Sequence, residues 1–152
     1  MINARVKGGT GEREMASILN GLLLQVMKEL NYSEEDINKS VRTIQRNSNQ
    51  TAVGGADLTN TFGLAIEIKR VEILDVNSWW KQTCAQAARN QEWPLLLYRQ
   101  NHKGWKAVTY AYYPVDGQPA ICYRSEMMFS DFIVWYRAWI KAKILKGNTI
   151  RT

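Results

Sequence analysis

The chain has 152 residues, of which 45% are hydrophobic and 22% are charged. This length and balance are typical of one folded domain and exclude an intrinsically disordered chain. No apolar run reaches the roughly 20 residues of a membrane span, and the first residues lack the apolar segment of a signal peptide. We therefore expect a cytoplasmic protein, or one in the host cytoplasm if the chain is viral.

The net charge of +6 favours a polyanionic partner, although many basic proteins bind none. The chain has one histidine and two cysteines. His102 lies in a turn-like segment, and Cys84 and Cys122 lack C-x-x-C spacing. A zinc site, a histidine-rich metal site and a histidine-based nuclease centre are therefore not expected.

The first predicted element is a helix over residues 12–30, because apolar side chains recur there at helical spacing. Residues 8–11, Gly-Gly-Thr-Gly, are expected to form the loop before it. On this helix Glu12 falls in the apolar stripe, Arg13 on its flank and Glu14 toward solvent. Glu12 would then face a sheet, unless it is simply a first-turn acid stabilised by the helix dipole.

The later elements alternate between extended and helical patterns, which predicts an α/β fold with a mixed central sheet flanked by helices. In chain order they are a helix starting near Ser33, strands at 41–46, 56–58 and 64–69, a helix at 77–90, strands at 95–99 and 106–113, and a helix at 125–146.

Charged residues interrupt the strand Leu64-Ala-Ile-Glu-Ile-Lys69. Glu67 and Lys69 project to the same side about 7 Å apart, and Asp57 can reach that side if its strand pairs with this one. One interpretation is a salt bridge on a half-exposed sheet, with Asp57 an ordinary turn residue. The other is a site at which Glu12, Asp57, Glu67 and Lys69 meet, since buried carboxylates usually pair with an opposite charge or a metal.

Carboxylate oxygens of this kind suit Mg²⁺ or Mn²⁺. Such an ion lowers the pKa of bound water and neutralises a phosphoryl oxygen. Lys69 could steer or deprotonate the water, or hold the phosphate. The pattern thus favours metal-dependent hydrolysis of a phosphodiester.

At this point the sequence resembles the PD-(D/E)XK nuclease superfamily, and within it the archaeal-type Holliday junction resolvases. The resemblance covers roughly residues 5–110. Its segments, in order, are KGGTGERE at 7–14, TIQR at 43–46, GGADL at 54–58, AIEIK at 65–69 and WPLLLYRQNHKGWKAV at 93–108.

The resemblance implies a restriction-endonuclease-like fold over a single nuclease domain of residues 1–152, with an added C-terminal strand and helix after about residue 110. It also implies roles for individual residues. The catalytic set would be Glu12, Asp57, Glu67, Lys69 and Gln86. The metal ligands would be Glu12, Asp57, Glu67 and the carbonyl of Ile68. DNA contacts would come from Lys7, Arg13, Arg46, Ser48, Gln50 and Arg70.

Two features depart from the family pattern. Ala56 precedes the first aspartate, where the superfamily's name has proline. The C-terminal aromatic helix also exceeds the family core, and it suits a core or dimer interface better than a base-stacking surface.

On the Trp79–Arg89 helix, Gln82 and Gln86 face roughly one way, so Gln86 could equally belong to a solvated helix face.

The function implied is a homodimeric, Mg²⁺-dependent endonuclease that resolves four-way DNA junctions, as in recombination and repair, with Mn²⁺ as an alternative ion. Two paired sites related by a two-fold axis would cut symmetrically. Alternatives are a nuclease of the same fold acting on other branched or duplex DNA, and a non-catalytic DNA-binding module.

Overall fold

A computed structural model describes residues 4–40, 43–47 and 57–150. It contains four helices and six strands in these described ranges. The helices are α1 (Ala4–Glu29), α2 (Glu34–Ser40), α3 (Val76–Asn90) and α4 (Phe129–Ile150). The strands are β1 (Gln45–Arg46), β2 (Leu58–Thr59), β3 (Leu64–Val71), β4 (Trp93–Gln100), β5 (Lys106–Val115) and β6 (Gln118–Met128).

The main sheet has four strands in the order β3-β4-β5-β6. β3 and β4 are parallel and joined by α3, whereas β4, β5 and β6 are antiparallel. β1 and β2 form a separate antiparallel pair. The prediction of a mixed sheet flanked by helices is therefore confirmed.

Alternation along β3 and β4 divides the apolar core between the two faces of the sheet. Leu64, Ile66 and Ile68 pack with the buried stripe of α1 and with Phe132, Tyr136 and Ile140 of α4. Leu96 and Tyr98 pack on the other face with Trp80 of α3. The main sheet is thus covered by α1 and α4 on one side and by α3 on the other.

The start of the first helix differs from the prediction. Residues 8–11 were expected to form a loop, but they lie inside α1, which begins at Ala4. The physical reason lies in tertiary packing, because a Cβ added at Gly11 would stand 3.2 Å from the Cβ of Arg70. A residue without a side chain lets the helix cross this close to β3, which outweighs glycine's low helix propensity.

The C-terminal region also differs from the prediction. The sequence predicts that the last helix includes residues 125–128, yet they belong to β6, and α4 begins only at Phe129. The predicted strand at 41–46 is reduced to Gln45–Arg46 within the described residues. The predicted helix from Ser33 is confirmed, since the Ser33 hydroxyl accepts a hydrogen bond from the Asp36 amide at 3.2 Å. In the described part of the chain, none of the helices is both long and apolar enough to cross a membrane.

Candidate active site

Asp57 is fixed against β3 by two hydrogen bonds. Its amide donates to the carbonyl of Ile66 at 3.0 Å, and its Oδ2 accepts from the amide of Ile68 at 2.6 Å. The carboxylate therefore takes the place of a strand partner at the edge of β3, just before β2 begins. The predicted approach of Asp57 to this strand is what the structure shows.

Glu67 lies beside Asp57, and the two carboxyl groups share a hydrogen bond. Glu67 is 3% exposed and Asp57 9%. Burial raises the pKa of Glu67 to about 8, with the Asp57 charge adding to the effect. Burial also raises the pKa of Asp57 to about 6, opposed by its hydrogen bond from the Ile68 amide. Burial therefore disfavours two negative charges in this pair and favours a proton shared between the two carboxyl groups.

Lys69 follows on the same face of β3 and acts on both acids. Its charge lowers the pKa of Asp57 and of Glu67, opposing the effect of burial. Glu67 is opposite Leu96 and Lys69 opposite Tyr98 in β4, so both project toward the face covered by α3. Only Lys69 is partly exposed, which leaves its amine accessible to a bound anion.

Gln86 projects from α3 toward the sheet and is 6% exposed. The alternative of a solvated helix face is therefore wrong for this residue. Gln82, four residues earlier and so on roughly the same side of α3, is exposed, so Gln86 alone of the two is buried. One turn of helix separates a residue in the α3–sheet layer from one in solvent.

Glu12 reaches the site from α1, and it is 7% exposed. Its negative charge raises the pKa of both Asp57 and Glu67, so the three carboxylates lie within electrostatic range. Glu12 also forms an ion pair with Arg46, whose Nε donates to Glu12 Oε2. The helix thus delivers Glu12 to the edge of β3, as predicted, with an arginine as its partner there.

A second arginine stands next to this ion pair. A Cβ added at Gly9 would lie 3.1 Å from Nη2 of Arg13 and 3.5 Å from Cζ of Arg46. Two guanidinium groups therefore converge over Gly9, about one turn before Glu12 on α1. Arg13 is exposed, and this pair of cations is suited to phosphate oxygens beside the carboxylates.

Glu14 was expected to face solvent, and that prediction is wrong. Its Oε1 accepts from Arg99 Nη1 at 3.0 Å and from the indole of Trp105 at 3.2 Å, and its Oε2 lies 3.5 Å from Arg70 Nη1. These partners anchor α1 to the carboxyl ends of β3 and β4. Arg70, predicted to contact DNA, is therefore paired with Glu14, while its buried Nε has no hydrogen-bond partner among the described residues.

The carbonyl of Ile68 is directed to the same edge of β3. Within a strand the N–H and C=O of one residue point to the same side, and the Ile68 amide meets Asp57. The position is compatible with the predicted ligand role. Lys7 lies in α1, whereas Ser48 and Gln50 lie outside the described residues.

Within the ranges 4–40, 43–47 and 57–150, no three Asp, Glu, His or Cys side chains form a ready metal-binding group. The contacts give the reason, because Glu12 is held by Arg46 while Asp57 and Glu67 hydrogen-bond to each other. The donor chemistry nevertheless fits a hard divalent cation, which would replace the shared proton between two buried carboxylates.

Comparison with known families places most of the chain in one family. Residues 3–115 match a family described as "Phage putative PDDEXK endonuclease". No curated protein and no solved structure matches the chain. The predicted likeness to the PD-(D/E)XK superfamily is confirmed at this level.

Proposed function

The chain belongs to the phage PDDEXK endonuclease family, and from this premise we propose that it is a structure-selective DNA endonuclease acting on four-way junctions. The observation that carries the proposal is the buried Asp57–Glu67 pair, within electrostatic range of both Glu12 and Lys69. A module that only binds DNA has no use for acids that repel phosphate. The alternative of a non-catalytic module is thereby disfavoured.

Asp57 and Glu67, with Glu12 and the carbonyl of Ile68, would hold the divalent cation, for which we propose Mg²⁺ with Mn²⁺ as a substitute. When bound, the cation activates water and neutralises charge on the phosphodiester. Lys69 orients the attacking water or holds a phosphate oxygen. Gln86 lies in the layer between α3 and the sheet, where it can help to position this water.

Phosphate contacts would come from Arg13 and Arg46 above Gly9, next to the carboxylates. No segment of the sequence resembles a module that reads base edges, so we assign selectivity to the shape of the DNA and to the spacing of its phosphates. Paired incision of a four-way junction needs two sites related by a two-fold axis, and we therefore propose a homodimer. The reaction would take place in the cytoplasm of the host.

The deciding experiment compares cleavage of a mobile four-way junction with cleavage of flap, nicked and linear DNA of the same sequence. Reactions contain Mg²⁺, Mn²⁺ or Ca²⁺, with EDTA as the metal-free control. We expect paired incisions on the junction with Mg²⁺ and Mn²⁺. Equal cleavage of all substrates would keep the nuclease and reject junction selectivity.

A further inference from the structure

The β5–β6 hairpin extends well beyond the body of the sheet. β4 pairs with β5 only over Lys106–Thr109, whereas β5 continues to Val115 paired with β6 alone. We call residues 110–124 the arm. Its turn lies at Gly117, whose φ of 69° suits glycine. A two-stranded ribbon is marginally stable in water, so the arm gains stability from any surface that covers it.

Large apolar side chains of the arm are exposed to solvent. Tyr112 is 64% exposed, Tyr123 58%, Tyr113 47% and Ile121 44%. Tyr113, Ile121 and Tyr123 share one face of the hairpin, and Tyr112 lies on the other. Exposed apolar surface of this extent is typical of an interaction site. All of β6 lies beyond residue 115, where the family match ends, so the part of this surface formed by Ile121 and Tyr123 is a feature of the chain outside the matched region.

The charge of the arm favours a protein partner over DNA. The arm contains one acid, Asp116, and one base, Arg124, in a chain whose net charge is +6. DNA-binding elements depend on clustered lysine and arginine for phosphate contacts. Aromatic side chains with little charge are instead typical of the centre of a protein–protein interface.

The outer edge of β6 offers a template for another strand. β6 is last in the order β3-β4-β5-β6 and pairs only with β5 in the described part of the sheet. Two opposite charges flank Ser125 on one face of β6, since Arg124 donates to Asn77 at 2.8 Å and Glu126 accepts from Tyr98. Both partners lie on the side covered by α3.

We propose that the β6 edge pairs antiparallel with β6 of a second copy of this chain, about a two-fold axis at Ser125. In this register Arg124 of each copy lies opposite Glu126 of the other, which gives two opposite-charge pairs. Axes at residue 124 or 126 would instead place like charges opposite each other. The register covers Tyr123 and Met128, the latter 70% exposed, and leaves Pro119, which has no N–H, outside the paired segment.

The pairing deepens the proposed function, because it would supply the two active sites that symmetric incision requires. Its argument rests on the β6 surface and not on the catalytic residues. A monomer that still cleaves DNA would reject this interface while the nuclease assignment stands.

The first test measures the mass of the full chain by analytical ultracentrifugation between about 1 and 100 µM. We expect a dimer for the unmodified chain, with a dissociation constant raised at least tenfold by either Arg124→Glu or Glu126→Arg. The double variant should recover most of the affinity, because the two charges exchange places across the two-fold axis. Lys81→Glu, an equal charge change on the exposed face of α3, is the matched control and should not alter the mass.

A second test does not depend on charge. Ser125→Cys in a Cys122→Ser background should form a disulfide-linked dimer under mild oxidation, because residues opposite each other across paired strands are close enough. Val134→Cys, on an exposed face of α4, is the control and should react slowly. Circular dichroism verifies that each variant is folded.

Three results would overturn the proposal. One is a monomer throughout the concentration range, and another is a dimer whose affinity neither single charge reversal changes. The third is a loss of DNA affinity in Arg124→Glu with no change in mass, which would assign the arm to DNA. If a charge reversal prevents folding, the cross-linking rates at positions 125 and 134 decide alone.

Discussion

The two edges of the main sheet differ in what they bury. Charged side chains are buried at the β3 edge, whereas apolar side chains are exposed at the β6 edge. At the β3 edge, the carboxylates of Glu12, Asp57 and Glu67 are each less than a tenth exposed. At the β6 edge, Tyr123 and Met128 are 58% and 70% exposed. Buried charge and exposed apolar surface both cost stability, so each edge is held in a state that a ligand or partner can relieve.

The two edges of this sheet suit two different kinds of ligand. The β3 edge is built inside the family match and its charges suit a cation and phosphates. The β6 edge lies entirely outside that match and suits another protein. We thus propose that chemistry and assembly use opposite edges of a sheet four strands wide, an arrangement that would keep the interface clear of the reacting phosphate.

The largest expected effect tests the β3 edge. Asp57→Asn or Lys69→Met should lower the cleavage rate by about 10³-fold or more, because the first removes a ligand of the proposed cation and the second removes the charge that orients the water or holds the phosphate. Single-turnover cleavage of DNA with Mg²⁺ measures this. Glu72→Gln, an exposed acid just past β3, is the matched control and should retain full activity. Activity within tenfold of the parent in Asp57→Asn would mean that Asp57 is not catalytic.

Much of this edge could be predicted from periodicity alone. Strand alternation placed Glu67 and Lys69 on one side, and helical spacing placed Glu12 in the buried stripe of α1. The contacts of Glu14 could not be predicted, because Arg99 and Trp105 come from 85 and 91 residues along the chain. The position of a residue in a helix predicts the direction in which its side chain points. The tertiary structure decides which residues that side chain contacts.

The opposite edge gave a weaker sequence signal. A strand with one buried face alternates between apolar and polar residues, but most of β6 is exposed on both faces. No period-2 pattern therefore appears over residues 118–128, and the sequence predicts a helix for residues 125–128, which belong to β6. The helix that follows has a clear signal, because Phe132, Tyr136 and Ile140 recur at helical spacing. All three are fully buried in the core.

The next effect is on stability. Asp57 and Glu67 have pKa values raised to about 6 and about 8 in the folded state, so the folded chain binds more protons than the unfolded chain above pH 4. The stability of the metal-free protein should therefore be full below about pH 4 and fall as pH rises through 6 and 8. Glu67→Gln cannot ionise, and should be about 1–3 kcal/mol more stable than the parent at pH 8.

Urea denaturation in EDTA from pH 5 to pH 8 measures this difference. Excess Mg²⁺ should remove it, because a cation bound by the native carboxylates stabilises the parent chain alone. Glu72→Gln should follow the parent at every pH. A free-energy difference between Glu67→Gln and the parent that does not change with pH would contradict the raised pKa.

A smaller effect concerns the Glu12–Arg46 ion pair. In EDTA this ion pair engages Arg46, to which we assign a contact with a DNA phosphate. Glu12→Gln should release Arg46 and so raise DNA affinity by about 3- to 10-fold. The gain should disappear when Arg46 is replaced by Met, because no arginine is then released. Fluorescence anisotropy with junction DNA measures all four members of this cycle.

Glu72→Gln again controls for the loss of one negative charge and should change DNA affinity less than Glu12→Gln. An equal gain from Glu12→Gln with and without Arg46 would show that the effect is long-range repulsion. In that case the ion pair is structural and does not compete with DNA.

The smallest effects come from the glycines of α1, which report how closely this helix lies against the β3 edge. Gly21→Ala meets no atom within 4 Å and should raise stability by about 0.5–1 kcal/mol through helix propensity. Gly11→Ala would place its Cβ 3.2 Å from the Cβ of Arg70, an atom fixed to the strand, so we expect it to lower stability. A Cβ added at Gly9 would lie 3.1 Å from Nη2 at the flexible end of Arg13. The Gly9→Ala variant should therefore fold normally yet bind DNA more weakly. Thermal denaturation separates the first two variants, and stabilisation by Gly11→Ala would mean that α1 does not need this close approach to hold Glu12 at the site.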